Sequence, residues 1–299
     1  MRAGHRTGRL KAFTALLCAA VLAVMTGCEA SGQKGVSQTE YSDFADIWFY
    51  DTFDDGQKAA YNAFLQAAAD PFAQEQVPIV GTKGECIEIP VEDLNTIYQG
   101  FLYDHPEVFW LSQSYTYKVS AGSGKGELAQ AVGVIPIADT PKALEAQKKE
   151  FEAAAAVLLK ETESASDDKQ KAIILYDLLA DRTEYKEEAL YDENYKCEHT
   201  AYGAVVSQSA VCDGLALAYK YLLNRCGIRC IAIPGISDGM PHVWNTVFWD
   251  GSWHEADLTW DIESSESDRR QYFDLTTLEM NKDHIREEDG IAPGVPLAE

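Results

Sequence analysis

A chain of 299 residues, 46% apolar and 24% charged, carries enough hydrophobic material for a sizeable core, which excludes wholesale disorder and collagen-like or coiled-coil architectures. Aspartate and glutamate total 48 against 25 for lysine and arginine. The resulting net charge of −23 excludes a nucleic-acid partner held through its phosphates and argues against docking on anionic lipid or anionic wall polymers.

In chain order, Arg2, Arg6, Arg9 and Lys11 precede an apolar run from Ala12 to Met25 that is too short to span a bilayer as a stable helix. A basic start followed by a short apolar run predicts a secretory signal over residues 1–27. The run ends in Met25-Thr26-Gly27-Cys28, which resembles the lipobox of bacterial lipoproteins. That resemblance implies a lipidated Cys28 as first residue of the mature chain, on the extracellular face of the bacterial cytoplasmic membrane. Membrane contact is expected only through this anchor. Residues 28–40, with Ser31, Gly32, Gly35 and Ser37, read as a flexible tether.

Residues 41–163 read as an N-terminal α+β region. Apolar residues recur at helical spacing over 57–70 (Ala60, Tyr61, Phe64, Ala67, Ala68) and over 91–103 (Leu94, Ile97, Tyr98, Phe101). Strand-like runs lie between and after these helices, at 86–89, 115–119 and 128–137, the last two separated by the Gly-rich break 121–126. His105, before Pro106 and beside large apolar residues, reads as part of a packed turn. Pro141 to Glu163 is a long helix rich in Ala, Lys and Glu. Ser166-Asp167-Asp168 caps another running to about Arg182.

Residues 164–299 hold the chemistry. Cys212 opens an apolar helix that stops at Cys226-Gly227, so the thiol sits at a helix N-terminus, where free amides and the helix dipole favour the nucleophilic thiolate. Residues 228–234 and 241–249 read as strands, and Asp250-Gly251 is a hairpin turn signal followed by a return strand at 252–258. A two-residue turn pairs Trp249 with Ser252 and Trp244 with Asp257, which puts His242 diagonal to Asp257 on one face. A one-residue slip of that register would part them. Nucleophile, general base and orienting acid are then Cys212, His242 and Asp257.

At these residues the chain resembles the transglutaminase-like superfamily. The matching words are Ala201-Tyr202-Gly203-Ala204, Val211-Cys212-Asp213-Gly214, His242-Val243-Trp244-Asn245, Asp250-Gly251-Ser252-Trp253 and Asp257-Leu258-Thr259-Trp260-Asp261, with Tyr272-Phe273 and Asp283-His284 echoing the domain's end. The resemblance covers about residues 165–285. It implies an α+β, papain-like cysteine proteinase core behind the N-terminal α+β region, with the three roles falling on the same three residues. An upstream side chain such as Gln208 could join the amide of Cys212 in an oxyanion hole. Leu258 stands where the family often has Pro, and Ala210 where Gly is common; neither departure removes a catalytic group.

Five cysteines remain outside the signal and the lipobox, an odd number that leaves at least one thiol unpaired in an oxidising exterior; the spacing of Cys226 and Cys230 allows a bridge between them. No metal or other cofactor is expected. The cysteines lack zinc-site spacing, His254-Glu255 has Leu258 where a zinc peptidase has its second His, and the run Asp261, Glu263, Glu266, Asp268 lacks calcium-loop spacing and reads as a solvated face. His199 and His284 are expected to take no part in catalysis. The expected activity is thiol acyl transfer, by a cysteine peptidase or amidase acting on protein or cell-wall peptide amides. The alternatives are a true protein transglutaminase and a non-enzymatic cell-surface binding module.

Overall fold

Capping residues mark where the helices begin. The side chain of Asp54 accepts the Gln57 amide while Gln57 returns a bond to the Asp54 amide, opening α2 (Asp55–Ala69), and Thr140 caps α4 (Pro141–Lys160) with proline at its first turn. The computed structural model describes residues 20–21, 47–120, 127–192, 194–262 and 269–299. The tether, Cys28, the Gly-rich break, Glu263, Glu266 and Asp268 lie outside the described residues, as does the signal segment apart from Ala20 and Val21. Those two residues form a short strand, β1 (Ala20–Val21).

In the N-terminal half, α1 (Trp48–Thr52) and α2 are followed by β2 (Val77–Pro78) and β3 (Ile89–Pro90). Then come α3 (Leu94–Asp104), β4 (Leu111–Val119), β5 (Leu128–Pro136) and α4. The expected strand at 86–89 contracts to Ile89–Pro90, because the chain doubles back through Gly84 at φ 82° and Cys86 makes only an isolated bridge to Val80. The sheet runs β1-β4-β5-β2 with β3 also on β5, antiparallel except for the β1–β4 pair. Buried Phe64, Tyr98, Phe101 and Tyr115 fill the space between helices and sheet. His105 is buried, its Nδ1 2.7 Å from Glu107 and its ring against Tyr61 and Phe101, the packed turn that the sequence predicts.

In the second half, α5 (Asp168–Arg182) precedes a two-stranded parallel pair, β6 (Glu184–Tyr185) with β7 (Ser209–Ala210), and then α6 (Cys212–Arg225). The antiparallel sheet behind α6 is built from β8 (Cys230–Ser237), β9 (Met240–Trp249), β10 (Ser252–Ala256), β11 (Phe273–Leu275) and β12 (His284–Arg286), in the order β11-β10-β9-β8-β12. Two short helices, α7 (Leu258–Asp261) and α8 (Thr277–Met280), interrupt it. The return strand expected to reach Leu258 stops at Ala256, because the Asp257 side chain accepts the amides of Thr259 and Trp260 and starts a helical turn.

Side chains cross between the halves. Phe151 on α4 packs against Tyr221 of α6 with tilted rings at 4.7 Å, Trp48 donates to the carbonyl of Gly294, and Gln113 on β4 donates to Asp213 beside the nucleophile candidate. Among the described residues no helix is long and apolar enough to cross a membrane. Cys197, Cys212, Cys226 and Cys230 form no disulfide, whereas Cys86 is disulfide-bonded. The Cys226–Cys230 bridge that the spacing allows does not form: Cys230 is fully buried in β8, while Cys226 caps the end of α6 with its sulfur 3.7 Å from the Thr162 hydroxyl.

Candidate active site

Cys212 is the first residue of α6, following extended Val211. Gly214, two places on, lets the loop before the helix approach closely, since a Cβ there would collide with the Glu198 carbonyl oxygen. Four successive residues of β9 then meet the site in different ways. His242 presents its ring to Asp257, the Val243 amide faces the Cys212 thiol, Trp244 lies nearly parallel to the His242 ring at 6.1 Å, and buried Asn245 donates to the Ala216 carbonyl of α6 at 3.0 Å. That last bond ties the histidine strand to the cysteine helix. Trp244 is itself clamped, its indole N–H 2.6 Å from buried Glu255, which also accepts from Arg286 and Thr277.

The β9–β10 register runs from Ser252 opposite Trp249 to Ala256 opposite Asn245, as a two-residue Asp250-Gly251 turn requires. Asp257 follows directly and is fully buried, with His242 Nε2 2.6 Å from its Oδ2. The other oxygen, Oδ1, caps α7. Burial opposes ionisation of Asp257, but the charge and hydrogen bond of His242 and the hydrogen bond of His284 outweigh it and hold the carboxyl down at about 2. With Nε2 spent on Asp257, His242 keeps Nδ1 for proton exchange.

The Cys212 thiol departs from the thiolate expected at a helix tip. Burial is the largest influence and raises its pKa, the charges of Asp213 and Asp257 add to that, and the amides of Val243 and Asp213 offset only part. Desolvation and flanking carboxylates therefore outweigh the helix terminus, and the resting residue is a neutral thiol. Cys212 and His242 are 7% and 8% exposed, so the site is nearly closed. Tyr103 of α3 is buried close by and lines the same cleft as Asp213; its phenol is raised by burial and then by the Asp213 charge. The phenol of Tyr185 on β6 is raised by burial and by the charges of Asp213 and Asp257. The cleft where the halves meet is small, about 30 Å³; its walls include Tyr103, Gln113, His199 and Asp213 but neither Cys212 nor His242.

Gln208 lies on the surface in a left-handed conformation (φ 55°), its backbone carbonyl accepting from Glu184. The two histidines set aside from sequence both make ionic contacts at the site. His199 bridges Asp213 through Nδ1 at 2.9 Å and the Ala189 carbonyl through Nε2 at 3.1 Å. The Asp213 charge, working against burial, raises it to about 9. His284 places Nε2 2.8 Å from the same Asp257 oxygen that His242 uses, and Nδ1 2.6 Å from Asp283. Asp261, expected on a solvated face, is buried instead: it accepts from the Tyr176 hydroxyl and from the amides of Gln271 and Tyr272. His242, Asp257 and His284 bring donor atoms within 4.8 Å of one another, a spacing a cation could use. Both imidazole Nε2 atoms, however, sit at hydrogen-bond distance from one carboxylate oxygen, so the set works as a hydrogen-bonded chain.

Residues 155–258 match the family model of the Transglutaminase-like superfamily. The segment is transglutaminase-like. The match spans Cys212, His242 and Asp257 and stops short of His284. Kyphoscoliosis peptidase of Mus musculus and of Homo sapiens are each 32% identical to this chain over 66 residues, 18% of the chain and 10% of the relative. The chain thus spans about a tenth of the length of these curated relatives. A TGase crystal structure overlaps 53% of this chain and 48% of its own, at 19% identity and a TM-score of 0.37. The matched segment contains the Cys helix and the hairpin behind it, while Gln113 reaches Asp213 from outside that segment.

Proposed function

We propose that the protein is a surface-anchored cysteine peptidase or amidase that cleaves protein or cell-wall peptide amides through Cys212, His242 and Asp257. The observation that carries this reading is the 2.6 Å bond from His242 Nε2 to Asp257, made on the strand whose next amide, that of Val243, faces the Cys212 thiol. In the first step Sγ of Cys212 bonds to the substrate carbonyl carbon as its proton passes to Nδ1 of His242. Collapse of the adduct breaks the C–N bond, His242 returns the proton to the leaving amine, and a thioester remains on Cys212. Water, deprotonated by His242, then adds to the thioester and releases the acid and the free thiol. Asp257 exchanges no proton; it fixes the ring and stabilises the imidazolium.

Anchoring through Cys28 rests on the lipobox-like word Met25-Thr26-Gly27-Cys28. Hydrolysis is favoured over amine transfer because a transferase needs a second pocket that brings lysine to the acyl carbon in near-attack geometry, and the net charge of −23 supplies encounter rate alone. The test is incubation of candidate surface proteins and wall peptides with a labelled primary amine. New termini or released ammonia should exceed amine incorporation and vanish with Cys212→Ala. Efficient Cys212-dependent incorporation with little cleavage or deamidation would assign a transglutaminase instead.

A further inference from the structure

His284 is fully buried on β12, between two carboxylates, with only acceptors facing its ring nitrogens. Nε2 is 2.8 Å from Asp257 Oδ2 and Nδ1 is 2.6 Å from Asp283 Oδ1. A neutral imidazole has one N–H, so it could satisfy one of these contacts and would set a lone pair against an anion in the other. Two donors are required, and the ring that provides them is an imidazolium. Its orientation is enforced by aromatic rings on three sides: Trp244 edge-on at 5.1 Å, Trp260 at 5.0 Å and Tyr272 at 5.6 Å. The Tyr272 hydroxyl in turn donates to the second Asp283 oxygen at 2.8 Å. The titratable groups facing the ring are therefore Asp257, Asp283, His242 and Tyr272. Two residues along β12, Arg286 is matched by Glu255.

We propose that His284 is a positioning residue of the same catalytic unit: a permanent cation, held by Asp283, that fixes the Asp257 carboxylate and limits how strongly Asp257 holds the proton on His242. The inference rests on the reading of Cys212, His242 and Asp257 as the reacting unit. In a plain Cys-His-Asp arrangement the buried carboxylate faces one imidazole. Here it is shared, and the second imidazole brings a positive charge with its ring centroid 5.4 Å from that of His242. That charge offsets part of the negative charge that Asp257 presents to His242. Burial disfavours the charge on His284, but the hydrogen bond and charge of Asp257, followed by those of Asp283, prevail and raise its pKa.

The pH dependence of Cys212 alkylation by iodoacetamide tests this without a known substrate. In His284→Gln one positive charge is gone, so the pair takes up its proton more readily and the acid limb of the rate profile should move up by about one pH unit. A merely structural role would lower the rate at every pH and leave the limb in place. In the wild-type protein, ¹⁵N-histidine spectra should show both ring nitrogens of His284 protonated at pH 7, which decides the matter even if the variant fails to fold. An unmoved limb in folded His284→Gln, or a neutral His284 ring at pH 7, overturns the proposal. A wild-type profile unchanged by His242→Ala would instead overturn the catalytic reading beneath it, so the two failures are distinct.

Discussion

Cys212 enters the reaction as a thiol, which gives His242 a larger task than in a site with a standing thiolate. Its reactivity should therefore depend on the imidazole: His242→Ala and Cys212→Ala should both abolish amide turnover. Asp257→Asn should leave a measurable residual rate, because the acid orients and charges the base without exchanging protons. The same substitution strands the buried His284 cation with Asp283 alone, and loss of one partner of a buried ion pair costs on the order of 3 kcal/mol. Thermal unfolding should show that loss directly. The pH dependence has a definite sign as well. The Asp257 carboxyl, held at about 2 in the folded protein, lies below its unfolded value of roughly 3.9, so its stabilisation is present above that value and lost as pH falls toward 2. Asp257→Asn should remove that portion of the acid slope.

At the scale of elements, the tip of α6 is held by Asp213, which caps the Gly214 amide and binds both Gln113 and His199. His199 is raised to about 9, chiefly by the Asp213 charge, from an unfolded value of roughly 6.5. Its contribution is fully present below about pH 6.5 and is lost as pH rises through 9, and a shift of that size is worth roughly 3 kcal/mol. Denaturant unfolding at pH 6.5 and at pH 9.5 should show wild type losing stability that His199→Gln does not lose; equal losses in both would mean that the pair is not an ion pair. The hairpin register was legible because Asp250-Gly251 admits a two-residue turn and alternation fixes the faces. Helices α2, α3, α4 and α5 were legible from spacing and caps. His284 was not, because it reaches Asp257 only through the pairing of β12 with β8, a non-local contact that no local pattern announces. Asp261 was misread for a related reason: its partners, Tyr176 and the amides of Gln271 and Tyr272, come from other segments, so composition alone made it a surface acid.

At the scale of the whole molecule, the N-terminal half contributes directly to the site, through Gln113 on Asp213 and Tyr103 in the cleft that Asp213 lines. A sequence reading centred on the Cys helix could not weigh these contributions from the other half. Tyr103→Ala should raise the rate at which a small neutral alkylating agent reaches Cys212 severalfold at pH 7.5, read by mass spectrometry of the Cys212 peptide; an unchanged rate would mean that α3 does not limit access. Location is tested separately: Cys28→Ala should abolish metabolic labelling with a fatty-acid analogue, and persistent labelling would remove the anchor from the account. The central claim is that Cys212 forms a thioester with an amide substrate under the control of His242. Intact-mass spectrometry of the protein, quenched in acid after seconds with a pool of surface-protein and wall peptides, tests it most directly. The account predicts an acyl adduct that maps to Cys212, appears with release of the amine portion, decays to free enzyme and is absent from Cys212→Ala and His242→Ala. Amide cleavage that continues undiminished in Cys212→Ala would contradict it.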